Sequence, residues 1–197
     1  MKLFLASFLH AQLGDFLGHK VAYIDDAAAR LRNASFVRAE REAVSKLCSE
    51  VVDVTVATTP VDAIRETLEH VDSVYVASGS AFDLLFALRS TGAEAVIKAL
   101  VKEGLPYAGS SAGAIVAGPT IEPATIMDDP TTAPGLSDYR GLELTEYVVV
   151  PHAQGTTGPY TISVIARTVE RCGMEWPLVL LRDEQALVID DSGAHLV

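Results

Sequence analysis

The chain has 197 residues, a length that suits one sizeable hydrophobic core and is short for two, and 49% hydrophobic with 21% charged residues is the balance of a globular protein. A formal net charge of −11 argues against the basic patches by which proteins hold nucleic acid or anionic membrane surfaces, and no apolar run approaches the roughly 20 residues of a membrane span. A small molecule is therefore the expected partner, and Cys48 and Cys172, which make neither a metal-ligand spacing nor a disulfide framework, suit a reducing cytoplasm.

Short β-type runs alternate with helical patterns along the whole chain, the signature of an α/β fold with a mainly parallel sheet covered by helices on both faces. No repeat, low-complexity tract or linker interrupts the pattern, so residues 1–197 read as a single three-layer domain. The N-terminal stretch Met1–Leu9 resembles a short signal core but lacks a convincing cleavage site, and a first strand at Leu3–Ser7 is the preferred reading. Further strands are expected at Lys20–Ile24, Val51–Val56, Val74–Ala77, Leu105–Ala108, Tyr147–Val150 and Leu178–Leu181, with a closing hairpin near Ala186–Ile189 and Ala194–Val197. Between them, Ser35 is a candidate cap for a helix whose inner face carries Phe36, Ala39, Ala43 and Leu47, and Thr59-Pro60 opens another with Ile64 and Leu68 inward. A long helix is expected from Phe82 to Lys102, ending at Gly104. In a helix over Tyr160–Cys172, Ile162, Ile165, Ala166, Val169 and Cys172 share a broad face, with Arg167 and Arg171 on the solvated one.

Two turns carry the chemistry. In Val74–Phe82 small residues gather where a buried strand gives way to a helix, so that a backbone N–H there can approach a ligand at the carboxyl edge of the sheet. In Pro106–Gly118 an apolar run ends at Gly109, and Gly109-x-Ser111-x-Gly113 leads straight into a small-residue apolar segment. A serine on such a strand-to-helix turn has its hydroxyl pushed out of the sheet edge, with the first helical N–H groups beside it; acyl transfer is the chemistry this suits. Ser110 is a rival hydroxyl, but the spacing favours Ser111. The Pro-rich polar loop Glu122–Gly135 is expected on the surface at the mouth of the site. His152 follows the apolar strand ending at Val150-Pro151, and since strand carboxyl ends collect on one edge of a parallel sheet, it should meet Ser111 and the Gly79 turn as a base. His10, His19, His70 and His195 are less well placed.

Taken together, Gly109–Ala114, Pro151-His152 and the turn Ala77–Phe82 resemble the dipeptidase E (aspartyl dipeptidase) family of serine peptidases, relatives of cyanophycinase within the class I glutamine amidotransferase-like fold. The resemblance implies a serine peptidase of small peptides with Ser111 as nucleophile and His152 as general base. It also implies an oxyanion hole from the backbone N–H groups of Gly79 and Ala112, and no metal or organic cofactor. For the third member it offers Glu184, past a late strand, or alternatively Asp128 in Thr125–Pro130; Glu184 is preferred because it should share the edge that holds His152. The chain departs from the family's Gly-Gly-Gly-Asn-Thr-like run at Ala77–Ala81, and it lacks the Arg that follows the catalytic His in aspartyl dipeptidases. A substrate other than Asp-x dipeptides is therefore expected, because an Asp side chain would be desolvated here without a partner. A cyanophycinase-like hydrolase and a non-catalytic ligand-binding protein of the same fold are the alternatives, and a cytoplasmic monomer or homodimer is the expected state.

Overall fold

In the computed structural model, which describes residues 1–197, the alternation of strands and helices is present throughout. The first half runs β1 (Leu3–Ala6), α1 (Leu13–Leu17), β2 (Lys20–Ile24), α2 (Ser35–Leu47), β3 (Glu50–Val54), α3 (Val61–Leu68), β4 (Ser73–Val76), α4 (Ala81–Thr91) and α5 (Ala93–Glu103). Then come β5 (Tyr107–Ser110), α6 (Ala112–Val116), α7 (Ala124–Met127), β6 (Val148–Val150), β7 (Thr156–Thr157), β8 (Tyr160–Thr161), α8 (Ile162–Cys172), β9 (Leu178–Leu180), β10 (Ala186–Asp190) and β11 (Gly193–Leu196).

Seven strands form the central sheet in the order β11-β10-β1-β5-β4-β2-β3. The five from β1 to β3 are parallel, with Leu3 opposite Tyr107 and Val74 opposite Tyr107 on its other side, and β10 and β11 add an antiparallel hairpin beyond β1. Side chains on a strand alternate between faces, and here each face has its own apolar layer. Leu3, Leu5, Ala22, Ile24, Val74, Val76 and Tyr107 join the larger cluster with α3 to α6, whereas Phe4, Ala6, Val21, Tyr23, Tyr75 and Ala108 pack with α1 and Val44 of α2.

Several expectations need correction. The long helix is two: Gly92, at φ +79°, caps α4 in the left-handed region and starts α5. Ser35 is the first residue of α2 rather than its cap, a position Ala34 takes. The buried residues of α2 are Glu40 and Val44, not the expected quartet, and Phe36 and Leu47 are partly exposed. On α8, Arg167 and Arg171 are exposed as expected, yet Ile162 and Val169 are too, and Ile165, Thr168 and Cys172 carry the buried stripe. Finally, β6 does not enter the main sheet. The edge of β1 is already taken by β10, so β6 pairs in parallel with β9 in a two-stranded sheet of its own.

One contact fixes where the β5–α6 turn can lie. A Cβ on Gly113 would stand 2.1 Å from the Val76 carbonyl oxygen, so α6 rests directly on the β4 backbone, while the buried Tyr107 hydroxyl donates to the Gly113 carbonyl at 2.6 Å. Gly113→Ala forces that helix off the sheet. It should cost about 3 kcal/mol or more, at or beyond the upper end for overpacking a core. Urea unfolding would show this as a lowered midpoint; an unchanged midpoint would mean that α6 has room to move.

Candidate active site

At the end of β5 the chain reverses at Ser111, whose φ of 46° and ψ of −104° lie where a side chain is strained. His152, just past β6, also has positive φ, at 58°. Both residues are nearly buried, and they meet: Ser111 Oγ lies 3.3 Å from His152 Nε2. Strain of this kind costs on the order of 1–3 kcal/mol per residue and persists where the surroundings over-determine it. Here the His152 N–H donates to Ser7 Oγ at the end of β1 (2.7 Å), and the Ser111 N–H donates to the Ala6 carbonyl (3.0 Å).

The other ring nitrogen meets an acid, but not the expected one. His152 Nδ1 lies 2.5 Å from Asp183 Oδ1, while Glu184 is exposed and paired with Arg182 at 3.0 Å. Both acids lie in the turn after β9, which the Gln185 N–H closes on the Arg182 carbonyl. Leu181 anchors the start of that turn, its N–H donating to Val150 and its carbonyl accepting from Ala153, and it is buried, while Asp183 is drawn inward by its own partners and Glu184 is left in solvent. Thr157 Oγ1 donates to the other Asp183 oxygen, and Asp183 N–H donates to Gln154 Oε1 at 3.0 Å. Burial pushes the Asp183 carboxyl up, but the hydrogen bonds from Thr157 and His152 outweigh it and hold it below the usual carboxylate range.

Asp128, the alternative acid, does not reach the imidazole. It closes α7 and accepts from the Tyr160 hydroxyl at 2.9 Å, and the Tyr160 ring stacks on His152 with centroids 4.9 Å apart and planes 8° from parallel. Burial raises the Asp128 pKa, against the Tyr160 hydrogen bond and the nearby His152. The Glu122–Gly135 loop is thus folded onto the site: Asp128, Asp129 and Thr132 line the same pocket of about 510 Å³ as Ser111, His152, Gly79 and Tyr160. Phe8, Leu31 and Phe36 supply its apolar wall, and no Lys or Arg lines it.

Gly79 stands at φ +143°, where a Cβ would fall 2.1 Å from the Ala27 carbonyl oxygen, and its N–H donates to no protein acceptor. Ala112 is the first residue of α6, fully buried directly behind Ser111, so its N–H has no partner one turn back within the helix. Beneath both turns lies a carboxyl group that the sequence reading missed. Glu40 accepts from the Tyr75 hydroxyl (2.6 Å), the Ser78 hydroxyl (2.9 Å) and the Ser78 N–H (3.2 Å), and Ser78 Oγ is 3.0 Å from Ser110 Oγ. Ser110 is therefore turned into the interior and is no rival to Ser111. Burial pushes the Glu40 carboxyl up, against the hydrogen bonds from Tyr75 and Ser78. Its sequence signal was an acid one helical turn from both Phe36 and Val44.

The description Peptidase family S51 matches residues 3–197. The chain belongs to this peptidase family. It is 32% identical over 179 residues to the uncharacterized peptidase Lin0382 of Listeria innocua, covering 86% of this chain and 84% of that one. Peptidase E of Actinobacillus pleuropneumoniae is 32% identical over 140 residues, 71% of this chain and 56% of that protein. A crystal structure from Listeria monocytogenes EGD-e, assigned by its name to peptidase E, superposes with a TM-score of 0.88 at 26% identity, over 100% of this chain and 97% of that one. The fold class and the serine-type peptidase reading both stand on this ground.

Two substitutions test the acid. Asp183→Asn should lower kcat by on the order of 10⁴-fold, the cost of giving a triad histidine the wrong tautomer, while Glu184→Gln stays near wild type. The opposite ranking would restore Glu184. Glu40→Gln removes an acceptor under the Gly79 turn and should lower kcat, with little change in KM, by between about tenfold and the 10²–10³-fold cost of losing an oxyanion donor. An unchanged kcat in a folded variant would show that the turn holds its shape without Glu40.

Proposed function

We propose that this S51 peptidase hydrolyses small peptides through an acyl-enzyme formed on Ser111. The observation that carries the proposal is the continuous chain from Ser111 Oγ through the His152 ring to the Asp183 carboxylate inside one pocket. His152 Nε2 takes the Ser111 proton as Oγ attacks the amide carbonyl, and Asp183 holds the Nδ1–H tautomer and the imidazolium that forms. The tetrahedral oxyanion is received by the N–H groups of Gly79 and Ala112, which need no reorganisation to meet it. Collapse expels the amine with the proton from His152, and water attacks the acyl-enzyme by the same route in reverse.

The substrate reading rests on the lining. A pocket with two aspartates, three large apolar side chains and no cation offers an acidic side chain like-charge repulsion and no compensating partner. Arg30, which reaches the Thr132 carbonyl at the wall, is committed to Asp83. The substrates are therefore small peptides with an uncharged, preferably apolar N-terminal residue. The free Cys48 and Cys172 suit action in the cytoplasm.

Intact-mass analysis after treatment with a small fluorophosphonate should give one adduct, lost in Ser111→Ala, weakened in His152→Ala and retained in Ser110→Ala. On dipeptide anilides, Leu-x should exceed Asp-x in kcat/KM by about tenfold or more, the scale set by desolvating a charge without a partner. Failure of the folded wild type to label would favour a ligand-binding protein of this fold. Equal or better turnover of Asp-x would overturn the substrate reading alone.

A further inference from the structure

The base determines where the departing half of the substrate must stand. His152 Nε2 faces Ser111 Oγ across 3.3 Å and hands the proton on to the leaving nitrogen, so that nitrogen, and the residue it belongs to, come within hydrogen-bond reach of the imidazole. Two aromatic rings border that imidazole, and they are not equivalent. Tyr160 is committed: its ring lies flat on His152, with centroids 4.9 Å apart and planes 8° from parallel, and its hydroxyl is tied to Asp128 at 2.9 Å. Phe8 is not. Its ring stands 6.4 Å from the imidazole, tilted by 59°, and the residue lines the pocket while 41% exposed.

Phe8 is also held in place. Ser7, the residue before it, is fully buried, donates its N–H to the Gln185 carbonyl at 3.1 Å and accepts the His152 N–H on its hydroxyl at 2.7 Å. The end of β1 thus positions the base and the Phe8 ring together. The other two apolar lining residues belong elsewhere. Leu31 and Phe36 lie on the stretch that runs from β2 into α2, and its Ala27 carbonyl accepts the Ser80 N–H at 2.8 Å and abuts Gly79, so they flank the oxyanion turn.

We propose that Phe8 is the specificity-determining residue for the leaving side of the scissile bond, where it selects a large apolar residue over glycine. This rests on the acyl-enzyme reading above and adds to it the half of the substrate that departs. An exposed phenyl ring beside the base is wet in the free enzyme, and an apolar side chain laid on it removes both surfaces from water. Glycine offers no such surface. With Leu31 and Phe36 beside the acyl half, the substrate class becomes small peptides with apolar residues on both sides of the bond that is cut.

The test compares Leu-Phe amide with Leu-Gly amide, and Leu-Gly amide with Ala-Gly amide, on wild type, Phe8→Ala and Phe36→Ala. The first two substrates form the same leucyl-enzyme, so a difference between them in kcat/KM arises in binding and acylation alone, and the amides keep a terminal carboxylate out of the comparison. Wild type should prefer Leu-Phe amide by about tenfold or more, the scale of filling an apolar subsite. In Phe8→Ala that ratio should collapse toward one, and in Phe36→Ala it should survive. A wild type that does not distinguish the pair overturns the proposal even if Phe8→Ala fails to fold, as does a preference that persists in a folded Phe8→Ala or that is lost in Phe36→Ala instead. If Phe8→Ala changes only the ratio of Leu-Gly to Ala-Gly amide, the ring serves the acyl side and the proposal falls. Fluorophosphonate labelling of the same samples separates these results from failure of the acyl-enzyme reading, which would show as no adduct on wild type.

Discussion

Everything at the site depends on how closely α6 approaches β4. With no side chain at Gly113, the helix backbone rests on the Val76 carbonyl, and the only path from β5 into that helix is a sharp reversal at Ser111 with positive φ. The strain is held by core contacts on both sides: the Tyr107 hydroxyl on the Gly113 carbonyl, and the Ser111 N–H on β1. The same β1 end supplies Ser7, which holds the backbone of His152 in its own positive-φ conformation. Ser111 and His152 are thus strained against one strand, and their 3.3 Å separation is a property of the sheet rather than of flexible loops.

The acids around the imidazole divide according to their hydrogen bonds. The Asp183 carboxylate accepts from Thr157 and His152 and is held below its usual range, so it carries its charge beside the imidazole. Hydrogen bonding in the folded state thus contributes stability that is present above the unfolded carboxylate pKa and is lost as pH falls through the lowered one. Asp128 has a single donor, and burial dominates. Glu40 lies deepest and is raised as well, which has the opposite sign: its native protonation is favoured, and ionising it weighs on stability as pH rises through the raised value. Two carboxyls flank one histidine and a third supports the turn, each with a charge preference set by its donors.

Much of this was legible in the chain. The strand-turn-helix grammar around Ser111, the Pro-His after an apolar strand and the small-residue turn at Gly79 each depend on local backbone requirements, which sequence states directly. What failed depended on non-local choices. Glu184 and Asp183 are adjacent in the turn after β9, and only the contacts with His152, Gln154 and Thr157, 31, 29 and 26 residues away, decide which of them faces inward. The inner face of α2 was misjudged because a buried Glu40 is acceptable only once Tyr75 and Ser78, 35 and 38 residues away, are known to meet it. The single sheet was expected to hold β6, and the antiparallel β10 that displaces it comes from the far end of the chain. Asp128 was placed on a loose loop because nothing local reveals that Tyr160 will tie it down.

The departure from the family pattern at Ser78 and the rival hydroxyl of Ser110 turn out to be one feature. Their hydroxyls share a hydrogen bond, and Ser78 hands the network on to Glu40, so two residues met separately in the sequence are a brace between the ends of β4 and β5. The missing arginine has a similar counterpart. A net charge of −11 and a pocket lined by acids set up a potential that repels an acidic substrate and attracts a cationic one before contact.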